Sequence, residues 1–348
     1  MMGGLESHAG IELAIVGATG AVGETLLRVL AEREVPLAEL HAFASRERAV
    51  PLSFRGRPVA VRAATKEALR GHDVVIFASD EQVSKAFVPA CIECGATVID
   101  NSPLYRLAVD VPLVVPEING DLVQLGQHLF PVGNCTAIIL TMALWPIART
   151  AGLRSVRVAS YQAVSGAGKP GLEELASAER ALHDGTAEPD PHAFPARIAR
   201  NVIPQIGSLD DAGDSTEERK VAAETRKILG LPELRVAVTT VRVPVKSAHS
   251  AAVFLETDED VSVVALASAL RASPGIAYHD RGIVTPRDVE GHDDVHVARL
   301  RAESDSKRFF QLWAVGDQLR KGAATTAVQI LELLIARGLR EKARLLRA

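Results

Sequence analysis

The 348-residue sequence has little of several things that particular classes of protein need. Its three cysteines, Cys91, Cys94 and Cys135, are too few for disulfide bonds to stabilise the fold of a chain of this length. Aromatic residues make up 4% of the sequence, which is poor for base-stacking surfaces and for aromatic belts at membrane interfaces. Lysine and arginine number 39 against 43 acidic residues, so there is no basic excess to bind a nucleic-acid backbone. These shortages exclude a disulfide scaffold and predict no nucleic-acid partner.

Long apolar runs are also missing. The longest, near residues 137–147, is interrupted by Thr141 and Pro146 and falls short of the roughly 20 residues that span a bilayer. Residues 1–10 contain neither a basic stretch nor an apolar one, so we expect no signal peptide. The sequence therefore predicts a cytoplasmic protein without a membrane partner.

A hydrophobic content of 47% over this length predicts two domains with ample core. In the first half, short apolar runs alternate with helical patterns, which is typical of a Rossmann-type, doubly wound α/β sheet. The expected strands are 11–16, 40–44, 59–63, 73–78 and 97–99, and the expected helices are 21–33 and 84–94.

After residue 134 the strands and helices no longer alternate strictly, which predicts an α+β second domain over 134–322. The apolar face of the last helix indicates that it packs on the first domain, so we assign 1–133 plus 323–348 to that domain. The expected strands are 155–162, 235–245 and 251–255, and the expected helices are 137–151, 171–187, 216–229 and 323–337.

A glycine-rich sequence, GATGAVG at 17–23, follows the first strand and opens the first helix. Glycines at this spacing permit a tight turn and close approach of the backbone to a pyrophosphate, which the helix N-terminus attracts. The alternative is a turn that merely needs the backbone freedom of glycine. The predicted cofactor contacts are Gly17, Thr19, Gly20, Ala21, Val22 and Gly23.

The end of the second strand distinguishes the two nicotinamide cofactors. An NAD site places an acidic residue there, whereas this sequence has Ser45 and Arg46. A guanidinium can pair with the 2′-phosphate of NADP, so these residues predict NADP(H). The alternative is that Arg46 is a solvated loop charge.

Cys135 directly precedes an apolar helix, where the helix dipole and free N–H groups stabilise a thiolate. A single cysteine at such a position can equally be a small buried hydrophobe. Cys91 and Cys94 are spaced CxxC without a second pair or a histidine nearby, so we interpret them as core residues and expect no metal.

Eight short motifs occur in an order that resembles the aspartate-β-semialdehyde dehydrogenase family from end to end. They are GATGAVG (17–23), DNSPLYR (100–106), VVPEIN (114–119), GNCTA (133–137), YQAVSGAG (161–168), EERK (217–220), RVPVKSAHS (242–250) and LRKGAA (319–324).

The resemblance implies the catalytic groups. Cys135 matches the family's nucleophile, which forms a thioacyl-enzyme, and His249 matches its acid/base. Gln162 matches the residue that orients the acyl intermediate. Judged without the resemblance, His249 is more simply a structural histidine.

The resemblance also implies the ligand contacts. For the substrate, Arg242 matches the group that binds the α-carboxylate and Glu217 the group that pairs with the amino group, and Asn134 is assigned with them. Arg106 and Lys220 match the cations that bind phosphate. Without the resemblance, Glu217 and Lys220 form a local helix pair and Arg106 is a surface charge. For the cofactor, the implied residues are Ser165, Gly166, Gly168 and Gln329.

The reaction implied is NADPH-dependent reductive dephosphorylation of L-aspartyl 4-phosphate to L-aspartate 4-semialdehyde, in biosynthesis of lysine, threonine, methionine and isoleucine. The implied partners are this small-molecule substrate, phosphate and a second copy of the chain, with tetramers among related proteins. The resemblance also implies that 1–133 plus 323–348 form the NADP-binding domain and that 134–322 form the catalytic and dimerisation domain. Two alternatives stay open: a reductase of another acyl donor, such as N-acetylglutamyl phosphate or an acyl-CoA, and a catalytically silent nucleotide-binding relative. The chain departs from the family pattern at Ala137, Ala248 and Thr326, where a hydroxyl residue, glycine and asparagine are expected.

Overall fold

The computed structural model describes residues 10–339, which divide into two compact units. Unit 1 contains residues 10–133 and 323–339, and unit 2 contains residues 134–322. Within the described range, every helix is too short or too polar to cross a membrane.

Thirteen strands and nine α-helices lie within residues 10–339. The strands are β1 (Ile11–Val16), β2 (Leu37–Ala44), β3 (Arg48–Phe54), β4 (Arg57–Ala63), β5 (Val74–Phe77), β6 (Thr97–Asp100), β7 (Leu129–Pro131), β8 (Ser155–Gln162), β9 (Arg235–Arg242), β10 (His249–Glu256), β11 (Ile276–His279), β12 (Val295–Ala302) and β13 (Phe309–Gly316). The helices are α1 (Ala21–Glu32), α2 (Glu81–Glu93), α3 (Pro116–Asn119), α4 (Cys135–Ala151), α5 (Gly168–Asp184), α6 (Thr216–Leu229), α7 (Val263–Ala272), α8 (Pro286–Val289) and α9 (Thr325–Ala336).

Unit 1 is built on a seven-stranded sheet in the order β3-β4-β2-β1-β5-β6-β7. All neighbouring strands pair in parallel except β3 and β4, which form an antiparallel hairpin at one edge. The central strands are apolar on both faces, as expected for a parallel sheet covered by helices. The doubly wound α/β fold predicted from the sequence is therefore confirmed. Helix α9 packs against α1, and Arg33, the C-cap of α1, forms a bidentate ion pair with Glu332 of α9, at 2.7 and 2.9 Å.

Unit 2 contains a six-stranded sheet in the order β11-β12-β13-β10-β8-β9, with α4 packed between α6 and α7. Strands β8 and β9 run in parallel with Gln162 opposite Arg242. Strand β10 runs antiparallel to β8 with Ser250 opposite Tyr161, so His249 lies at the same end of the sheet as Gln162. The register thus collects three predicted site residues that are separated along the chain.

Several predicted boundaries are wrong by a few residues, and N-caps explain the starts of two helices. Helix α2 begins at Glu81, not residue 84, because the Asp80 carboxylate accepts the Val83 N–H at 3.0 Å. Helix α4 begins at Cys135, not residue 137, because Asn134 is its N-cap. Helix α5 spans Gly168–Asp184 instead of 171–187, β9 ends at Arg242 instead of 245, and β10 begins at His249 instead of 251. No strand was predicted over residues 48–54, yet they form β3 at the edge of the sheet.

Candidate active site

The predicted nucleophile is the first residue of a helix. Cys135 begins α4 and is partly exposed. The side-chain oxygen of Asn134 accepts the backbone N–H groups of Thr136 at 2.9 Å and Ala137 at 3.2 Å. These bonds satisfy two donors that a helix leaves unpaired, and they hold the thiol at the positive end of the helix dipole. Gly322 packs on this residue so closely that a Cβ there would lie 2.8 Å from the Cβ of Cys135.

Glu217 joins two further predicted residues. It lies in the first turn of α6, where its Oε1 accepts from the Asn134 side-chain amide at 2.9 Å and from the Gln162 amide at 3.3 Å. Gln162 is 2% exposed and lies at the end of β8. Lys220 follows Glu217 by one turn of α6 and is partly exposed. The carboxylate that the family resemblance assigns to the substrate therefore already organises the residues around Cys135.

Arg242, at the end of β9, is 6% exposed, and two contacts orient its guanidinium. Its Nη1 donates to the carbonyl of Ala163 at 2.6 Å, and its guanidinium lies 5.6 Å from the centre of the Phe194 ring. Burial lowers the pKa of Arg242, while the charges of Cys135 and Glu217 act in the opposite direction. Its Nε is buried and has no hydrogen-bond partner within residues 10–339.

His249 begins β10 and is 1% exposed. Its Nδ1 lies 3.1 Å from the backbone N–H of Ala163 and accepts that proton. Burial, followed by the positive charge of Arg242, keeps the pKa of His249 well below its usual 6.5, so the ring is neutral at neutral pH. A neutral ring that accepts at Nδ1 carries its proton on Nε2. That Nε2 is buried and lacks a partner among the described residues.

Ala163 and Gly166 bring Arg242 and His249 together. The carbonyl of Ala163 holds Arg242 and its N–H holds His249, so one residue orients both side chains. A Cβ on Gly166 would lie 2.9 Å from Arg242 Nη1 and 3.1 Å from His249 Nε2. Unit 2 therefore contains two buried N–H donors without acceptors, in a cluster that includes a partly exposed thiol. An oxygen-rich anion is the ligand that such donors fit.

The glycine-rich turn of unit 1 leads from β1 into α1. Gly17 has a φ of +84°, and a Cβ there would lie 2.3 Å from the carbonyl oxygen of Ala78. A Cβ on Gly23 would lie 2.3 Å from the carbonyl oxygen of Gly17. Gly20 is the N-cap of α1 and offers no side-chain acceptor to the first turn, which contains Ala21 and Val22. Within the described residues, no side chain therefore caps the first N–H groups of α1.

The other predicted residues of unit 1 lie in different settings. Ser45 and Arg46 follow β2 and are exposed. Arg106 is 9% exposed, and its guanidinium donates to the carbonyls of Val132 at 2.8 Å and Asn101 at 2.7 Å. Gln329, in α9, donates its amide to Glu117 at 2.7 Å.

The chain is similar to known proteins over nearly its whole length. A family model described as the semialdehyde dehydrogenase NAD binding domain matches residues 12–125, and one described as the dimerisation domain matches residues 144–321. The aspartate-semialdehyde dehydrogenase of Aquifex aeolicus is 39% identical over 338 residues, which cover 95% of this chain and 99% of that protein. The enzyme of the same name from Bacillus subtilis is 37% identical over 338 residues, covering 93% of this chain and 97% of that protein.

The chain belongs to the aspartate-semialdehyde dehydrogenase family.

Solved structures of this family share the fold. The crystal structure of aspartate semialdehyde dehydrogenase II from Vibrio cholerae has a TM-score of 0.91 at 38% identity, and the comparison covers 94% of this chain and 99% of that one. The complex of the same enzyme with ASA also has a TM-score of 0.91, at 37% identity with the same coverage.

Sequence reasoning missed Gln318, which links two segments of this aspartate-semialdehyde dehydrogenase site. Its Oε1 accepts the N–H of Ala248 at 2.8 Å, and its Nε2 donates to the hydroxyl of Ser165, the residue before Gly166. Gln318 is 2% exposed and follows β13, in a region for which no strand was predicted. No local signal marks it, because its partners lie 70 and 153 residues away along the chain.

The structure shows the local environment of the three residues that depart from the family pattern. Ala248 has a φ of +66°, a left-handed conformation that glycine adopts without strain and alanine does not. Ala137 is fully buried and still donates its N–H to Asn134, so the cap does not need a hydroxyl there. Thr326 is fully buried in α9. None of the three removes a side chain from the cluster around Cys135.

Proposed function

We propose that this chain catalyses the NADPH-dependent reduction of L-aspartyl 4-phosphate to L-aspartate 4-semialdehyde and its phosphate-dependent reversal, a step in amino-acid biosynthesis. The observation that carries the proposal is the pair of buried donors without partners, Arg242 Nε and His249 Nε2, in the cluster that contains Cys135. A protein leaves such donors unpaired where a ligand accepts from them.

Two charged groups select a free amino acid. Arg242 presents a guanidinium fork that fits a carboxylate, and Phe194 restricts its orientation. Glu217 is the acidic group of the same cluster, and a substrate ammonium would be attracted to it. An N-acetylated acyl donor has no cation for Glu217. The geometry therefore favours an aspartyl substrate over the N-acetylglutamyl alternative.

Each step of the proposed reaction is assigned to particular residues of the chain. The Cys135 thiolate attacks the acyl carbon of the acyl phosphate, the carbon–oxygen bond to phosphate breaks, and a thioester forms. Arg106 and Lys220 are the proposed cations for the departing phosphate, and Gln162 orients the acyl group. The Nε2–H of His249 donates to the acyl oxygen, because His249 is neutral and its Nδ1 is occupied by Ala163.

The residues of unit 1 fit a dinucleotide. The absence of side chains at Gly17 and Gly23 creates a cradle that a Cβ would fill, at the start of α1. When bound, NADPH supplies the hydride that converts the thioester to the aldehyde level. Ser45 and Arg46 are the proposed contacts to its 2′-phosphate, since both are exposed and no acidic residue stands there. Ser165, Gly166, Gly168 and Gln329 remain proposed cofactor contacts.

We also propose that the protein forms a homodimer through unit 2, because unit 2 matches the dimerisation-domain model. One face of its sheet exposes large side chains, with Phe254 43% exposed and Trp313 partly exposed on adjacent strands. Burying such a face against a second copy would remove apolar surface from water.

The test is NADP reduction by the purified protein with L-aspartate 4-semialdehyde, with and without phosphate. We expect phosphate-dependent turnover that falls by about 10³-fold or more in Cys135→Ser, because a hydroxyl is a far weaker nucleophile than a thiolate. The matched control is Cys94→Ser. Cys91 is buried, but Cys94 is exposed, so the interpretation of Cys94 as a core residue was wrong and its substitution should keep full turnover. Turnover with another acyl donor but not with this aldehyde would overturn the substrate, and a preference for NAD would overturn the roles of Ser45 and Arg46.

A further inference from the structure

The backbone N–H of Asn134 requires a partner outside α4. Asn134 is the N-cap of this helix and is 6% exposed, and an N-cap N–H has no acceptor within its own helix. The Oε2 atom of Glu224 accepts it at 2.5 Å. Glu224 is 1% exposed, so its carboxylate is withdrawn from water.

Helix α6 holds Asn134 at two points. Glu217 and Glu224 are seven residues apart, which is two turns, so they lie on the same face of the helix. Glu217 accepts from the side-chain amide of Asn134, and Glu224 accepts from its backbone N–H. The remaining side-chain oxygen of Asn134 caps α4. The carbonyl of Asn134 accepts the N–H of Ile138 at 2.9 Å, so every polar group of Asn134 is used to fix the turn that carries Cys135.

We propose that Glu224 is a positioning residue for the nucleophile: by accepting the Asn134 N–H, it fixes the orientation of the Gly133–Asn134 peptide unit and thereby the N-cap residue that precedes Cys135. This inference rests on the proposed role of Cys135. Glu224 lies two helical turns beyond Glu217, and its part is mechanical. It acts through a hydrogen bond to backbone, so an acceptor at the correct position matters and a negative charge does not.

Two variants separate position from charge. Glu224→Gln keeps an acceptor oxygen at the same reach and removes the charge, whereas Glu224→Asp keeps the charge and shortens the side chain by one methylene. We expect Glu224→Gln to keep kcat within about threefold of the unaltered protein. We expect Glu224→Asp to lose about 30- to 100-fold in kcat, because a displacement of about 1 Å at a reacting group costs about 10²-fold. The KM for aldehyde should change less than threefold in both.

A second measurement needs no substrate. Alkylation of Cys135 by iodoacetamide, followed on its own peptide, should slow at least fivefold in Glu224→Asp and stay unchanged in Glu224→Gln. If the unaltered protein fails to turn over aspartate semialdehyde while this alkylation pattern holds, the proposed substrate is wrong and the positioning role stands. If turnover is normal but the two variants do not differ, the positioning role is wrong and the proposed function stands.

Glu174 provides a matched control. It lies on α5, is 3% exposed, and its Oε2 accepts the backbone N–H groups of His192 and Ala193 at 2.9 and 2.5 Å. Glu174→Asp should lower the melting temperature about as much as Glu224→Asp and leave Cys135 alkylation unchanged. Equal loss of alkylation in both Asp variants would overturn the inference, as would impairment of Glu224→Gln. If Glu224→Asp does not fold, loss of turnover in Glu224→Gln would still overturn the inference.

Discussion

Glycine serves two regions of this protein in different ways. In the turn of unit 1, a Cβ on Gly23 would meet backbone atoms of the same short segment, 2.3 Å from the Gly17 oxygen. In unit 2, a Cβ on Gly166 would meet the ends of two side chains, those of Arg242 and His249, which come from strands about 80 residues further along the chain. The first region is assembled from neighbours in sequence, and the second is assembled by the sheet.

That difference separates what each region can tolerate. Backbone atoms in the unit 1 turn are fixed by β1 and α1, so a clash there must be relieved by moving those elements. Side-chain ends in unit 2 can move without unfolding anything, but they carry the unpaired donors of the site. Damage in unit 1 should therefore appear as lost stability, and damage at Gly166 as lost catalysis.

The largest effect is expected for Gly166→Ala. Its added methyl displaces the guanidinium of Arg242 and the ring of His249, so we expect kcat/KM for the aldehyde to fall about 100-fold, which corresponds to about 2.7 kcal/mol. The melting temperature should change by less than about 2 °C, because only side-chain ends need to move. Steady-state kinetics together with thermal unfolding measure both. A large loss of stability with normal kinetics would reverse the comparison.

Gly23→Ala should give the opposite pattern with a slightly smaller effect. We expect it to destabilise the fold by about 1–3 kcal/mol, as overpacking against fixed atoms does, and to weaken NADP binding. Denaturant unfolding and cofactor titration measure these changes. Gly20→Ala is the control, because φ is −80° there and the nearest atom to its Cβ, the Gly17 oxygen, is 3.3 Å away. Equal destabilisation by the two alanines would refute the clash as the cause.

Acid should act on unit 2 through His249. Burial and Arg242 hold its folded pKa well below 6.5, so as pH falls past 6.5 the unfolded chain binds the proton first and stability decreases. The loss is at most about 1.4 kcal/mol per pH unit. We expect denaturant unfolding of His249→Gln to show a shallower loss between pH 7 and pH 5, by about 1 kcal/mol or more. Parallel pH profiles for the two proteins would contradict this.

A buried carboxyl in unit 1, that of Asp100, affects the pH dependence of stability in the opposite direction. Burial raises the pKa of Asp100, although the hydroxyls of Ser102 and Ser84 and the N–H of Ser102 donate to it. A raised carboxyl pKa makes stability decrease as pH rises through the folded value. The acid sensitivity that we expect from His249 therefore does not extend to this buried carboxyl.

The smallest effect is expected for Ala248→Gly. Alanine at a φ of +66° is strained by about 1 kcal/mol, and glycine removes that strain while adding freedom to the unfolded chain. We therefore expect a net gain of about 0.5 kcal/mol, measured as a small rise in the denaturant midpoint. A loss of stability would mean that the hydrogen bonds linking this segment to Gln318 and Ser165, and not backbone strain, determine how residue 248 affects stability.

The sequence predicted well wherever the signal is local. Strand 11–16 and helix 216–229 match their observed bounds because each has a clear apolar period and end signals, including the capping box of Ser215 and Glu218. Strand β3 was missed because it is an edge strand without a buried residue and contains Pro51. The sequence of β3 therefore lacks the alternation of buried and exposed residues that would distinguish a strand from a loop.

The candidate site divides in the same way. The glycine-rich turn and the position of Cys135 at a helix start depend on residues within a few positions, so composition and spacing reveal them. Ala163, Gln318 and Glu224 gave no such signal. Each acts through a backbone group or a partner at least 70 residues away, and nothing in the local sequence distinguishes them from ordinary core residues.

The sequence by itself determined that a parallel α/β sheet carries a glycine cradle and that a thiol begins an apolar helix, since both follow from short-range sterics and hydrogen bonding. Only the tertiary structure decided that His249 is neutral, that its proton is on Nε2, and that Arg242 keeps a buried donor unpaired. Those properties depend on burial and on the partners that distant strands bring together, and neither is encoded in the neighbourhood of the residue itself.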